Sequence, residues 1–120
     1  MHGWRTVEEA KKILAAAVNE AGYRSAASRA YFGTFQHIAR HPRLREFTLS
    51  KEGVDHRRLI EHLKNSSDPL LRKIGVSRLP RLRALRNHAD YELDAPFTKE
   101  LAQEAVDDAE EIVKDWLPLE

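Results

Sequence analysis

Apolar residues recur every three or four positions along most of this chain, a spacing that places side chains on one face of an α-helix. The first such run predicts a helix that starts at a capping box of Thr6 and Glu9 and ends at Gly22. Its expected buried face consists of Val7, Ala10, Leu14, Ala17, Val18 and Ala21. No run of alternating β-branched residues occurs, so the pattern indicates an all-α protein.

A second helical pattern lies between a serine cap and a proline. Ser25 or Ser28 can cap this helix, which is predicted to run to about Arg40. Pro42 then forces a break, because the residue before a proline avoids helical geometry. The apolar stripe consists of Ala27, Tyr31, Phe35, Ile38 and Ala39. The following segment, 43–53, has no clean period and is predicted to be a loop.

Further helical patterns follow this loop. One covers 55–64 and is expected to bury Leu59, Ile60 and Leu63. Next, Asp68 and Pro69 combine a capping side chain with a proline at the first helical position, which predicts a short helix. Gly75 is expected to interrupt the helical pattern that follows Pro69.

The next predicted helix, called the motif helix below, has Pro80 in its first turn, where the missing N–H costs little. It is expected to continue to about Leu93 and to end before Pro96. A last helix opens at Thr98 and is expected to bury Leu101, Ala105, Val106, Ala109, Ile112, Val113 and Trp116. Together these patterns predict an antiparallel bundle of four main helices plus a short one, with 1–120 as a single domain.

Composition narrows the possible functions. The formal charge is +1 with 32% charged residues, so binding to nucleic acid requires a local basic patch rather than a strong average field. The absence of cysteine excludes disulfides, thiolate zinc sites and a cysteine nucleophile. The N-terminus lacks the apolar core of a signal peptide, and no apolar run approaches the ~20 residues that span a bilayer. We therefore expect a cytoplasmic protein that does not associate with membranes.

The motif helix carries the densest cluster of reactive side chains, in the segment RLRALRNHADY. Arg81, Arg83 and Arg86 share this segment with a single acid, Asp90, so an anionic phosphodiester is a plausible ligand. Arg83 stands in an Arg-x4-His spacing with His88, and Arg81 in an Arg-x6-His spacing with the same histidine. On a helix, the apolar positions Leu82, Leu85, Ala89 and Leu93 share the face that should be buried.

Three sequence blocks resemble the HEPN family of small helical domains, in the same order and at similar spacing. The block 28–37, SRAYFGTFQH, resembles the signature helix SRAYYAxFH of small stand-alone HEPN proteins. A histidine-bearing helix at 55–60 follows. The block 85–91, LRNHADY, resembles the LRxxADY signature, and 97–113 is similar to the closing helix. The resemblance covers roughly 7–116.

The resemblance implies a metal-independent endoribonuclease without a cofactor, acting as the toxin of a toxin–antitoxin or phage-defence pair. It also implies RNA as substrate, a homodimer that builds a composite site, and a nucleotidyltransferase as antitoxin or partner. In many HEPN nucleases an Arg-x(4–6)-His motif is catalytic, but in this branch the motif is often degenerate. The alternative is therefore a non-catalytic HEPN dimerisation module that docks a nucleotidyltransferase or binds a nucleotide.

For RNA cleavage the candidate catalytic residues are Arg81, Arg83 and His88. The histidine titrates near neutrality and can serve as general base or acid, while an arginine matches phosphate oxygens with a permanent charge. Helical phase favours Arg81, which lies on the same flank as His88. The compact motif favours Arg83, which a second copy in a dimer can place beside the histidine.

The candidate substrate-binding residues are Arg29, Arg86, Asn87, Asp90 and Tyr91. Asn87 can orient the histidine or hold a phosphate oxygen, and Tyr91 can stack on a base. Purely structural roles are the alternative to substrate binding. Arg86 and Asp90 can form an i, i+4 ion pair, and Tyr91 can pack at the edge of the core. Arg29 can face the same cleft.

The histidines do not predict a metal site. His37 and His41 form the pair with helical ligand spacing, but Pro42 follows at once and no carboxylate stands at ligand spacing from the pair.

Overall fold

The computed structural model describes residues 2–44, 46–50 and 54–119, and in these ranges the chain is helical with no strand. The predicted all-α class is therefore confirmed for the described residues. The elements are α1 (Gly3–Ala16), α2 (Glu20–Ala39), α3 (Asp55–Lys64), α4 (Pro69–Lys73), a first π-helical turn (Ile74–Arg78), α5 (Leu79–Tyr91), α6 (Lys99–Glu111) and a second π-helical turn (Ile112–Trp116). Because α4, the first π turn and α5 follow one another without a gap, they form one continuous helix.

The first two helices do not have the predicted bounds. Helix α1 begins at Gly3, before the expected capping box, and ends at Ala16, so Gly22 does not end it. The cap of α2 is Asn19, whose side chain accepts a hydrogen bond from the Gly22 N–H at 3.1 Å. Asn19 supplies this cap earlier in the chain than the serines that were expected to do so. Because α1 stops early, Val18 is 87% exposed rather than buried.

A close crossing of α1 and α2 explains the early start of α1. A Cβ atom on Gly3 would clash with the backbone carbonyl of Gly33, and one on Gly33 would come within 2.6 Å of the Gly3 carbonyl. Two glycines at the crossing allow the two backbones to pack directly on each other. Helix α2 also packs against α5 and α6, so it lies at the centre of the fold.

The motif helix is longer than predicted at its start and shorter at its end. Gly75 and Pro80 lie inside the continuous helix 69–91, whose π turn is closed by the Leu79 N–H bonding to the carbonyl of Ile74. The wider turn accommodates Pro80, which lacks an N–H and would crowd the carbonyl four residues earlier in a regular helix. The helix ends at Tyr91, and Leu93 is consequently 70% exposed instead of buried.

Several local predictions are confirmed. Helix α3 has the predicted bounds. Asp68 caps the helix that starts at Pro69 by accepting from the Leu70 N–H, and Thr98 caps α6 by accepting from the Leu101 N–H. The described residues of the predicted loop 43–53 contain no helix. No helix in the described ranges is long and apolar enough to cross a membrane.

Candidate functional site

A cleft of about 440 Å³ opens between α2, α3 and α5, and it is called the Tyr31–His56 cleft here. Helix α2 lines it with Ser28, Arg29, Tyr31, Phe32, Phe35 and Gln36, whose three- and four-residue spacings place them on one side of that helix. Helix α3 adds Asp55 and His56 from its first turn, and α5 adds Arg86. The cleft therefore combines residues of the blocks 28–37 and 85–91 with the start of the histidine-bearing helix at 55–60.

Tyr31 and His56 share a hydrogen bond of 2.7 Å between the phenol oxygen and Nδ1. The imidazole also packs against Phe35, with ring centroids 4.5 Å apart. Burial raises the pKa of Tyr31 to about 12, against the opposing charges of Arg83 and Arg86. Tyr31 therefore remains a protonated hydrogen-bond donor at neutral pH.

The same environment favours the neutral form of His56. Burial of the imidazole lowers the pKa of His56, and the guanidinium charges of Arg83 and Arg86 lower it further, while Asp55 opposes them. Nε2 of this histidine makes no hydrogen bond to any described residue. A neutral imidazole with an unoccupied nitrogen is the form that can accept a proton.

Arg83 and Arg86 stand one turn apart on α5; Arg86 lines the cleft, and the charges of both arginines act on Tyr31 and His56. The Arg86 guanidinium lies 5.7 Å from the Tyr31 ring centroid and 5.1 Å from that of Tyr91. Arg83 acts on the pKa values of both Tyr31 and His56, which places its charge near both groups. Its Nε is buried and has no hydrogen-bond partner among the described residues. Arg83 is thus a cation with unused hydrogen-bonding capacity.

Asp90 fastens α5 to α2 beside the cleft. Its Oδ2 accepts from the Ser28 hydroxyl at 3.1 Å and from Arg86 Nε at 2.8 Å. The expected i, i+4 pair of Arg86 and Asp90 is therefore present, and Asn87 Oδ1 lies 3.5 Å from Arg86 Nη1. Since Asp90 neutralises Arg86, the uncompensated charge at this end of the cleft belongs to Arg83, which forms no ion pair in the described structure.

Two further charged residues on the cleft are held by partners outside it. Arg29 lies at the rim and pairs with Glu9 of α1 at 2.6 Å. Asp55 accepts from the Ser50 hydroxyl and from Arg58, and the Ser50 hydrogen bond is the main reason that the pKa of Asp55 is lowered. Asp55 therefore stays ionised and anchors the start of α3.

The structure separates the residues of the Arg-x(4–6)-His motif. His88 does not line the cleft; its ring meets Phe97 edge-on at 5.1 Å, and Nε2 is buried without a partner among the described residues. Arg81 is bound to α6, where it pairs with Glu104 and lies 3.6 Å from Asp108. Of the three candidate catalytic residues, Arg83 is the one placed near the Tyr31–His56 pair.

Arg24 binds the backbone at the end of the motif helix. Its guanidinium donates to the carbonyls of His88, Ala89 and Ala95, at 3.0, 2.9 and 2.6 Å. These carbonyls lie at or just beyond the end of α5, where carbonyls lack regular helical partners; the His88 carbonyl also accepts from the Glu92 N–H at 3.2 Å. Arg24 therefore orients the backbone around His88.

Tyr91 does not lie at the edge of the core, because it is 67% exposed. Its ring contacts the Arg86 guanidinium, so it stands outside the cleft on the same flank of α5. A role for Tyr91 in stacking on a base stays a prediction.

Sequence reasoning did not identify Tyr31 and His56 as a reactive pair. Tyr31 was assigned to the apolar stripe of its helix, and it is indeed buried. The available signal was its hydroxyl, since a buried phenol needs a hydrogen-bond partner. The identity of that partner depends on how α3 packs against α2.

The histidines with helical ligand spacing hold the C-terminal segment. Nε2 of His37 lies 2.6 Å from the Leu117 carbonyl, and Nε2 of His41 lies 3.2 Å from that of Pro118. Within 2–44, 46–50 and 54–119, no three His, Asp or Glu residues are grouped so that they could hold a metal ion.

Comparisons of the chain with protein-family models, with characterised proteins and with solved structures found no match. What bears on function is therefore the geometry of the Tyr31–His56 cleft together with the sequence blocks themselves.

Proposed function

We propose that this protein is a metal-independent endoribonuclease that binds and cleaves RNA in the Tyr31–His56 cleft. The observation that carries the proposal is the hydrogen-bonded pair of Tyr31 and His56 beside the charges of Arg83 and Arg86. The pair offers an acid and a base, and the arginines offer charge for a phosphate. The resemblance to HEPN proteins supports the same function.

In this mechanism His56 acts as the general base. With its proton on Nδ1 and donated to the Tyr31 oxygen, Nε2 is free to take the proton of the RNA 2′-hydroxyl. The 2′-oxygen attacks the adjacent phosphorus and the bond from phosphorus to the 5′-oxygen breaks. The products are a 2′,3′-cyclic phosphate and a 5′-hydroxyl.

Tyr31 supplies the proton for the leaving group. Its hydroxyl donates a proton to the departing 5′-oxygen, and His56, now protonated on both nitrogens, returns a proton to the phenol oxygen through the 2.7 Å hydrogen bond. This relay leaves both side chains neutral, with the His56 proton now on Nε2, and proton exchange with water restores the Nδ1 tautomer for the next turnover. Because burial raises the pKa of Tyr31 to about 12, its hydroxyl stays protonated until the leaving group develops charge.

Arg83 has the charge-stabilising role. Developing negative charge on the phosphate oxygens is best stabilised by donors that are already in place and not already paired. Arg83 meets this condition, because its Nε is buried without a partner among the described residues. Arg86 is shared with Asp90 and is assigned to substrate binding.

The wider biological role in this proposal follows from the HEPN resemblance. The protein acts in the cytoplasm as a homodimeric toxin in a toxin–antitoxin or phage-defence pair, and a nucleotidyltransferase is its antitoxin or partner. In this proposal Arg29 at the rim of the cleft, and Asn87 and Tyr91 beside Arg86 on α5, extend the RNA contact.

The function is tested by incubating the purified protein with end-labelled RNA in excess EDTA. We expect cleavage that leaves 2′,3′-cyclic phosphate ends, and no cleavage where the nucleotide at the cut carries a 2′-O-methyl group. Strict dependence on a divalent ion, or cleavage of the 2′-O-methylated RNA, would contradict attack by the 2′-hydroxyl.

A second candidate function is a non-catalytic module that docks a nucleotidyltransferase or binds a nucleotide. The observation that favours it is the separation of the motif residues, since His88 packs on Phe97 and Arg81 is committed to Glu104. This function predicts nucleotide or partner binding with intact RNA after prolonged incubation.

A further inference from the structure

We propose that Phe32 and Gln36 form a base-binding subsite beside the reactive pair of the Tyr31–His56 cleft. The Phe32 ring stacks on an unpaired RNA base, and the Gln36 amide hydrogen-bonds to an edge of that base and selects it. This inference rests on the proposed function, because it assigns part of the substrate to the same cleft.

The first observation is the exposure of Phe32. Its side chain is 49% exposed, whereas the neighbouring aromatic residues of α2, Tyr31 and Phe35, are 2% and 4% exposed. In the described structure the Phe32 ring contacts no other aromatic ring and no cation. The ring thus has a free surface, and it lies on the wall of a cleft that also holds Tyr31 and Arg86.

The second observation is the free amide of Gln36. Gln36 follows Phe32 by one helical turn, so the two side chains are neighbours on the same side of α2 and line the same cleft. The amide is partly buried but makes no hydrogen bond to a described residue. An exposed ring alone would be unremarkable on a protein surface, but a ring beside an unpaired amide in one cleft matches a flat ligand with a polar edge.

A nucleobase has both properties that this subsite requires. Its faces stack on aromatic side chains, and its edges combine hydrogen-bond donors and acceptors that a carboxamide can match. A base inside a duplex has its faces stacked and its pairing edge occupied. The base bound at Phe32 and Gln36 is therefore unpaired.

Binding is measured by fluorescence anisotropy with short labelled single-stranded RNAs, in which one position at a time is abasic or changed in base. We expect one position where removal of the base weakens binding about 10-fold or more, as does Phe32→Ala, while Phe32→Trp keeps wild-type affinity. Gln36→Ala should retain binding but lose the base preference at that position. Trp4→Ala on α1 and Gln103→Ala on α6 are matched controls that remove an aromatic ring and an amide outside the cleft.

The outcomes separate this inference from the proposed function. Cleavage with no effect of base removal, Phe32→Ala or Gln36→Ala would overturn the subsite and leave the ribonuclease standing. Base-dependent binding without cleavage would overturn the ribonuclease and support the subsite. No RNA binding at all would overturn both. A change of oligomeric mass on Phe32→Ala, measured by light scattering, would assign the ring to an interface between copies and overturn the subsite as well.

Discussion

The proton relay predicts that Tyr31→Phe damages activity far more than stability. The substitution keeps the buried ring and removes the hydroxyl that bonds Nδ1 of His56 at 2.7 Å. Because His56 is only partly buried, water can replace the lost partner, so we expect a stability cost of about 1 kcal/mol, within the range for one hydrogen bond. For a chain of this size that loss lowers the melting temperature by about 4 °C.

The expected loss of cleavage rate is roughly 100-fold or more, the usual contribution of a positioned proton donor. Thermal melting and single-turnover cleavage of labelled RNA are measured on the same preparations. Tyr91→Phe is the matched control, since that phenol is 67% exposed on the motif helix and forms no hydrogen bond in the described structure. If Tyr31→Phe melts lower but cleaves at the wild-type rate, the hydroxyl is structural and the relay is wrong.

Four further predictions concern the pH dependence of activity, the pH dependence of stability, the support of the cleft and assembly. The cleavage rate should rise with pH through a pKa below the ordinary histidine value of 6.5, because burial and the arginine charges disfavour protonated His56, and Arg83→Ala should move the midpoint of this pH–rate profile upward. The free energy of unfolding should fall as the pH drops below about 6.5, because burial also lowers the pKa of His37 and the unfolded chain then binds protons that the folded chain excludes; His37→Gln should flatten this dependence in denaturant titrations at several pH values. Asp90→Asn should cost ~1–2 kcal/mol, since it weakens the bonds to Ser28 and Arg86, and thermal melting measures it. Light scattering should give about twice 13.8 kDa, as the HEPN resemblance implies, and a monomer would contradict the dimer.

Those parts of the fold that depend on local signals could be predicted from the sequence. Asp68 was predicted as a cap and Thr98 as the opening of the last helix, and in the structure each side chain accepts from an N–H two or three residues later. The predicted start of α2 was wrong because Asn19 caps this helix before the expected serines, and the predicted start of α1 was wrong because it depends on the Gly3–Gly33 crossing between two helices. Such a contact leaves no periodic pattern in either segment.

The continuation of the motif helix through Gly75 and Pro80 could not be predicted from the sequence either. Gly75 and Pro80 usually punctuate helices, but here a π turn carries the helix through both residues. Gly75 is also needed for packing, because a Cβ there would come within 2.6 Å of the Leu63 side chain. Tertiary packing thus decides what these two residues do, and a sequence pattern cannot show it.

The candidate site was only partly predictable. The sequence identifies the arginine-rich segment, and in the structure Arg86 lines the cleft while the charge of Arg83 acts on Tyr31 and His56. The pairing of Tyr31 with His56 spans 25 residues and two helices, so no spacing rule reveals it. The position of His88 depends on Phe97, which returns from beyond the end of the motif helix to cover its ring.

The most direct test of the central claim compares the RNA cleavage rates of His56→Ala and His88→Ala with that of the wild-type protein. If His56 is the general base, His56→Ala should lose roughly 100-fold or more of the cleavage rate, while His88→Ala should cleave at nearly the wild-type rate. Circular dichroism melts on both variants show whether each is folded at the assay temperature. A folded His56→Ala variant with wild-type activity, beside an inactive and folded His88→Ala, would contradict the Tyr31–His56 site and return catalysis to His88.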